Sequence, residues 1–214
     1  MRIGLTGSMA AGKSTVSEQL ASLGLFIIDA DRIAHEVLDL PEVKLRLMQT
    51  FGEKILSPNL QIDRRALARA AFSSGEATEK LNGIVHPQTF ALMLDRAKRA
   101  EDEGCEHVVF DVPLLFESGF NKYCDKVISV IADDELRYSR IMLRDGLTRE
   151  EAALRIEKQM PQAQKAALSD AVIVNNESME ALSAEIAEAL CAIGVKLPPV
   201  QVELDNYLPD ILDE

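Results

Sequence analysis

The sequence predicts a three-layer α/β protein in which a five-stranded parallel sheet lies between two layers of helices. Short apolar runs that end in Gly, Asp or Asn alternate with longer stretches of helical periodicity. The runs lack the polar alternation of half-exposed strands, which indicates strands covered on both faces. Helical stretches between successive strands favour right-handed crossovers and therefore parallel pairing. The predicted strands are Arg2–Thr6, Leu25–Asp29, His107–Val112, Lys126–Ile131 and Ala171–Asn175.

Length and composition are those of a globular protein. The chain has 214 residues, of which 47% are hydrophobic and 27% charged, enough for one α/β domain with an insertion or lid. Lys and Arg total 23 against 35 Asp and Glu, for a net charge of −12. So negative a field disfavours nucleic acid as a partner, although a local basic pocket for a small anion is compatible with it.

Cysteine and histidine usage predicts neither a disulfide framework nor a structural zinc site. There are three residues of each type, with no C-x-x-C or Cys/His ligand spacing. No apolar run approaches the ~20 residues of a membrane span, and the first residues do not have the pattern of a secretory signal. We therefore expect a soluble, cytoplasmic protein with no membrane partner.

Two connections between strands are too long for simple crossovers. The first predicts a helical insertion over residues 31–106, with one helix starting near Asp63 and another following His86-Pro87. The second predicts a lid over about 134–163, in which Thr148 begins a helix through a capping box with Glu151.

These connections divide the chain into a nucleotide-binding core, residues 1–30 and 107–196, and the insertion. Ser178 is expected to cap the last helix of the core, and Gly194 to end it. The acidic residues 197–214 are expected to form a poorly ordered tail or a segment packed on the surface.

A phosphate-binding motif follows the first strand. Gly7–Ser14 reads GSMAAGKS and fits the pattern G-x-x-x-x-G-K-[ST] at every fixed position, and a helical pattern follows it. Backbone N–H groups of such a loop and the helix N-terminus bind phosphate oxygens; Lys13 can reach the β- and γ-phosphates, and the Ser14 hydroxyl can ligate Mg²⁺. The motif predicts a P-loop NTPase fold rather than a glycine-rich turn with an incidental lysine. The expected phosphate-binding residues are Ala10, Ala11, Gly12, Lys13, Ser14 and Thr15.

Carboxylates end two other predicted strands, where ligands bind in open parallel sheets. Asp111 ends an apolar strand and could hold Mg²⁺, or it could be a helix cap or a solvated strand end. Asp31 could accept a proton from an acceptor hydroxyl, although its spacing by itself favours the N-cap of the following helix.

Three arginines, Arg137, Arg140 and Arg144, are spaced by three and four residues and so share one helix face. Such a stripe suits the spread charge of a phosphoryl-transfer transition state, but a solvated helix face is an equal interpretation. Taken singly, His86 would be a turn residue and Arg64 a surface charge.

Together these residues resemble the dephospho-coenzyme A kinase family over nearly the whole chain, to about Gly194. The similar stretches are Ile3–Gly7 with Gly12–Thr15, Ile28–Asp31, Ile62–Arg64, His86-Pro87, Asp111–Glu117, Arg140–Arg144, Gln159-Met160, and Asp170–Ile173 with Asn175-Asn176.

The resemblance implies transfer of the γ-phosphoryl group of ATP, with Mg²⁺, to the ribose 3′-hydroxyl of dephospho-CoA, in a five-stranded P-loop core with a helical acceptor domain and a lid. It implies that Asp31 is the catalytic base, reversing the interpretation from spacing. Lys13, Arg140 and Arg144 would complete the catalytic set. The other implied contacts are Arg64, His86 and Phe116 with the acceptor, Asn175 and Asn176 with adenine, and Ser14 and Asp111 with the metal.

One departure from the family pattern lies in the phosphate loop, where Met9-Ala10-Ala11 replaces residues that are usually Gly and Ser. Alanine retains the backbone N–H donors, so we expect phosphate binding to survive if these positions need no positive φ.

Other functions are less consistent with the sequence. A GTP-dependent switch needs N-K-x-D and D-x-x-G segments, which Asn175–Glu177 and Asp111–Leu114 do not supply. The nearer alternative is another small-molecule P-loop kinase, of the nucleoside monophosphate kinase type. A scaffold with a relic P-loop fits poorly, since the charged site residues are all present. We expect a small-molecule substrate as partner and a monomer or weak homo-oligomer.

Overall fold

The fold is known from a computed structural model that describes residues 1–196; the tail predicted at 197–214 lies outside them. Five parallel strands form one sheet in the order β2-β3-β1-β4-β5. The three-layer prediction is confirmed, and each predicted strand matches an observed one to within one residue at either end. The strands are β1 (Arg2–Gly7), β2 (Phe26–Asp29), β3 (Val108–Asp111), β4 (Lys126–Ile131) and β5 (Ala171–Val174).

Helices cover both faces of the sheet. Their bounds are α1 (Lys13–Ser22), α2 (Ala30–Val37), α3 (Pro41–Phe51), α4 (Arg64–Ala71), α5 (Gly75–Asp102), α6 (Asp134–Asp145), α7 (Arg149–Glu157), α8 (Gln162–Ala167) and α9 (Met179–Ala192). The predicted caps are confirmed: Thr148 and Glu151 form the capping box of α7, and Ser178 caps α9. The helix predicted to start near Asp63 is α4, and Asp63 accepts from its first backbone N–H groups. Within the described residues, no helix is both long and apolar enough to cross a membrane.

Helix α5 corrects one prediction. His86-Pro87 does not begin a helix but lies in the middle of α5, which runs for 28 residues from its cap at Ser74. Pro87 lacks the N–H of a helical hydrogen bond, a cost of about 3 kcal/mol in a helix interior. The helix continues because residues on both sides of Pro87, such as Val85 and Met93, are buried against the same core.

The two faces of the sheet belong to two apolar cores. Val109 of β3 packs with Leu5 and with helices α1 and α9, whereas the next residue, Phe110, packs with Ile33 and Met93 of the insertion. Neighbouring strand residues thus enter opposite cores, which is why the strands show no polar alternation. The insertion shares its core with one face of the sheet.

Candidate active site

A cavity of about 490 Å³ opens at the carboxyl ends of the strands, around the phosphate loop. This is the edge at which ligands bind in open α/β sheets. The side chains that converge on it combine the loop with an acidic group from α2, basic groups from α6 and an amide from the α7–α8 connection. The lining residues are Gly7, Ser8, Met9, Ala10, Gly12, Lys13, Ser14, Asp31, Pro113, Arg140, Arg144 and Gln159.

The loop geometry requires glycine at its last turn. Gly12 has φ +93° as the N-cap of α1, and a Cβ there would overlap the Asn175 amide. The first N–H groups of α1 have no partner within the helix, which makes this turn a suitable site for phosphate oxygens.

Ala10 does not meet the condition on which we expected alanine to be tolerated. Its φ is +60°, in the left-handed region, where a residue with a Cβ costs about 1–2 kcal/mol. The loop therefore carries strain at Ala10 that other contacts must offset.

Three side chains from outside the loop donate hydrogen bonds to successive loop carbonyls. Arg137 Nε donates to Met9 O at 3.0 Å, Arg140 Nη1 to Ala10 O at 3.3 Å, and Asn175 Nδ2 to Ala11 O at 2.9 Å. We call these the carbonyl contacts. They fix the orientation of three consecutive peptide groups beside the nucleotide cavity.

Asn175 and Asn176 have other contacts than the adenine contacts that the resemblance implies. The Asn175 amide is buried beneath the loop, bonded to Ala11 O. Asn176 bonds with Asp133, accepting from its N–H at 2.7 Å and donating to its carboxylate at 2.8 Å. In this structure both side chains hold protein groups in place.

Lys13 forms an ion pair with Asp111, at the end of β3. Asp111 is 7% exposed, so it is not a solvated strand end, and it is the N-cap of none of the described helices. Ser14 lies beside Lys13 in the first turn of α1 and lines the same cavity. A hydroxyl and a carboxylate are oxygen donors of the kind that Mg²⁺ prefers, so these residues fit such an ion chemically.

Asp31 is not the cap of α2. The cap is Asp29, whose carboxylate accepts from Arg32 N at 3.0 Å. Asp31 instead opens into the cavity from the first turn of α2. Partial burial raises the pKa of its carboxyl above the ordinary value; Lys13 opposes that rise, and Asp29 contributes to it.

The arginines of α6 have different environments. Arg140 and Arg144 line the cavity, and Arg144 pairs with Asp145 at 2.8 Å. Arg137 is 3% exposed, so the solvated-face interpretation is wrong for this residue. Arg155 of α7 also pairs with Asp145, at 2.8 Å, which links the two helices beside the cavity.

A second cavity, of about 350 Å³, lies between α2, α4 and α5 and shares Asp31 with the first. Arg64 and His86 both line it, so neither is simply a surface charge or a turn residue. Burial lowers the pKa of His86. Phe116 lines neither of these two cavities and packs against the core of the insertion.

Among the lining residues that the sequence analysis did not single out are His35 and Gln159. His35 lines the second cavity, and its signal was present: it follows Asp31 by four residues and so shares its helix face. Gln159 lines the first cavity, where its Oε1 accepts from Met9 N at 3.0 Å. The sequence carries no local signal for this contact, because 150 residues separate the partners.

Comparison with known proteins finds relatives over most of the chain. Residues 1–181 match the family model described as dephospho-CoA kinase. A dephospho-CoA kinase of Fusobacterium nucleatum is 42% identical over 191 residues, or 89% of this chain and 97% of that protein. A Thermus thermophilus crystal structure superposes with a TM-score of 0.80 at 33% identity, covering 92% of this chain and 98% of that one.

A second solved structure, the dephospho-CoA kinase of Campylobacter jejuni, is 34% identical with a TM-score of 0.68. The alignment covers 90% of this chain and 96% of that one. The family model spans most of the chain, and the relatives align over nearly their whole length. The chain therefore belongs to the dephospho-CoA kinase family.

Proposed function

We propose that this protein transfers the γ-phosphoryl group of ATP to the ribose 3′-hydroxyl of dephospho-CoA, giving CoA and ADP as the last step of coenzyme A synthesis. One observation carries the proposal beyond family membership: the two cavities meet at Asp31. A donor phosphate over the loop and an acceptor hydroxyl from the second cavity would meet at that carboxylate.

On the nucleotide side, residues 10–15 hold the phosphates through backbone N–H groups, and Lys13 binds the β- and γ-phosphates. Arg140 and Arg144 stabilise the charge that develops on the transferred group. Ser14 and Asp111 would hold Mg²⁺, which would supply positive charge beside the phosphates. Asn175 and Asn176 border the adenine side.

On the acceptor side, Arg64 and His86, which line the second cavity, bind dephospho-CoA and direct its ribose towards Asp31. The family resemblance adds Phe116 to these contacts, although it lines neither cavity. The hydroxyl oxygen forms a bond to the γ-phosphorus while the bond to the ADP oxygen breaks, and the hydroxyl proton passes to Asp31. A raised pKa suits this role, because a base near the working pH accepts a proton more readily than an ordinary carboxylate does.

The chain is divided between these nucleotide and acceptor roles. Residues 1–30 and 107–196 form the nucleotide-binding core, 31–106 the acceptor-binding insertion, and about 134–163 a lid. Closure of the lid excludes water, which would otherwise take the phosphoryl group. Within this segment Asp145 pairs with both Arg144 and Arg155, and Arg144 lines the nucleotide cavity.

The test is ADP release from MgATP with dephospho-CoA, beside AMP, CMP and adenosine as competing acceptors. We expect turnover with dephospho-CoA alone and a product that carries one new phosphate at the 3′-hydroxyl, located by ³¹P and ¹H NMR. Turnover with a nucleotide in its place would overturn the acceptor assignment in favour of a nucleoside monophosphate kinase. ATP binding with no transfer to any acceptor would overturn the kinase assignment.

A further inference from the structure

The phosphate loop holds a residue with a Cβ in a conformation that favours glycine. Ala10 has φ +60°, and its backbone lies between two of the carbonyl contacts. The peptide group before its Cα carries Met9 O, bonded to Arg137; the group after it carries Ala10 O, bonded to Arg140. Because a peptide group is planar, fixing the orientation of these two groups fixes φ and ψ of Ala10.

The Arg137 side chain is buried beside the loop and fixed there by hydrogen bonds. Its side chain is 3% exposed, and the guanidinium donates through Nε to Met9 O at 3.0 Å and through Nη1 to Asp134 at 2.7 Å. The same Asp134 oxygen accepts from Gln162 Nε2 at 2.9 Å, which ties the pair to α8. Two donors in a fixed planar geometry are what an arginine supplies and a lysine does not.

The backbone N–H of Met9 is bonded as well as its carbonyl. Met9 N donates to Gln159 Oε1 at 3.0 Å, so both polar backbone groups of Met9 are bonded to side chains from the segment between β4 and β5. Arg137 Nε donates to the Met9 carbonyl. The loop upstream of Gly12 is therefore held from outside and not only by its own turn.

We propose that Arg137 is a positioning residue that holds Ala10 in its left-handed conformation and so keeps the phosphate loop ready to bind nucleotide. Arg137 touches the loop and lies outside the cavity lining. This inference rests on the proposed function only in assuming that the loop binds a nucleotide. It makes no assumption about the acceptor.

Energetic coupling between Arg137 and Ala10 follows. Without Arg137, the strain at Ala10 favours conformations of the loop that do not bind phosphate, and the apparent dissociation constant rises as the binding-competent fraction falls. With glycine at position 10, the left-handed conformation has no Cβ penalty. The competent fraction then depends less on Arg137.

The experiment is a double-mutant cycle on the affinity for MgADP, measured by isothermal titration calorimetry without any acceptor. We expect Arg137→Met to weaken MgADP binding by about tenfold in the Ala10 protein and by no more than about threefold in the Ala10→Gly protein. Ala10→Gly by itself should leave the affinity nearly unchanged. Arg149→Met is the matched control, since Arg149 lies on α7, pairs with Glu135 and makes no contact with the loop.

Asp134→Asn is a second variant for the case in which Arg137→Met does not fold. Asp134 is 64% exposed, so its neutral amide should leave the fold intact while weakening the hold on Arg137. We expect a smaller loss of MgADP affinity that Ala10→Gly again reduces. Far-UV circular dichroism of every variant establishes that the fold is retained.

Two results would overturn the inference: unchanged MgADP affinity in the folded Arg137 and Asp134 variants, or an equal loss with alanine and with glycine at position 10. An equal loss would mean that Arg137 supports the fold in general rather than Ala10. Failure of the proposed function is a separate outcome, because a protein that shows this coupling and phosphorylates no dephospho-CoA refutes only the acceptor.

Discussion

Lys13 and Asp111 form a largely buried ion pair at the strand ends of the site, with side chains 18% and 10% exposed. The ion pair holds the Lys13 amine at the lining of the nucleotide cavity. Its charge then needs no large rearrangement to act on phosphates, which is the condition for strong electrostatic stabilisation of a transition state.

Lys13→Ala should lower turnover by about 10²-fold or more, because the developing charge on the phosphates loses its cation. The measurement is ADP release at saturating dephospho-CoA. Lys126→Ala is the matched control: Lys126 pairs with Asp170 at the start of β4, at the opposite edge of the sheet. Wild-type turnover in the Lys13 variant would remove this residue from the catalytic set.

Asp31→Asn should lower turnover by about 10²- to 10⁴-fold while ATP still binds, since the amide cannot accept the proton. In the wild-type enzyme the base works deprotonated, so the rate falls as the pH falls through the pKa of Asp31. Burial raises that pKa, and the acid limb of the kcat profile should therefore lie above the ordinary range of a carboxyl.

Asp29→Asn is the control for this prediction. Asp29 caps α2 two residues earlier, and asparagine caps a helix about as well as aspartate does. The Asp29 variant should retain the rate, and its acid limb should move only slightly to lower pH, because the charge of Asp29 adds less than burial does to the raised pKa of Asp31. If the Asp31 variant kept wild-type turnover, Asp31 would not be the base.

At the scale of elements, short polar signals decide where helices begin. The hydroxyl of Ser178 accepts from Ala181 N at 3.3 Å, and α9 then packs Leu182 and Ile186 against the sheet. This cap couples a local hydrogen bond to the docking of a whole helix.

Ser178→Ala should lower the free energy of unfolding by about 1 kcal/mol, because one N–H group of the first turn loses its partner. Ser183→Ala, the same change in the exposed interior of α9, should be neutral or slightly stabilising. Urea unfolding followed by circular dichroism measures both. Equal effects of the two substitutions would show that the cap contributes nothing.

At the scale of the whole molecule, the insertion and the sheet unfold as one unit if they share a core. Phe110 of β3 lies edge-on to Phe120, with ring centroids 5.0 Å apart, and Phe120 meets Phe90 of α5 at 4.8 Å. The aromatic rings thus link the sheet directly to the longest helix of the insertion.

Phe110→Ala should destabilise the protein by about 3–5 kcal/mol through the cavity it leaves, within a single unfolding transition. Hydrogen exchange monitored by NMR should show the loss equally in α5 and in β4. Phe26→Ala is the milder control, since Phe26 is 41% exposed at an edge strand. Two separate transitions would show that the insertion is an independent folding unit.

Local signals explain how much of this protein could be predicted. The strands, the P-loop and the caps at Asp63, Thr148 and Ser178 each depend on residues within a few positions of one another. The helix start predicted at His86-Pro87 was wrong for the opposite reason. Proline locally disfavours a helix, but burial of α5 on both sides of Pro87 outweighed that preference.

The sequence by itself determined the three-layer α/β fold, the phosphate loop and the family, because periodicity and motif spacing are properties of short stretches of chain. Only the tertiary structure decided that Asp29 rather than Asp31 caps α2, that Arg137 is buried, and that Asn175 supports the loop. Two of these depend on partners far apart in the chain: 128 residues separate Arg137 from Met9, and 164 separate Asn175 from Ala11. Such contacts exist only once the sheet has brought the ends of its strands together, and no local pattern encodes them.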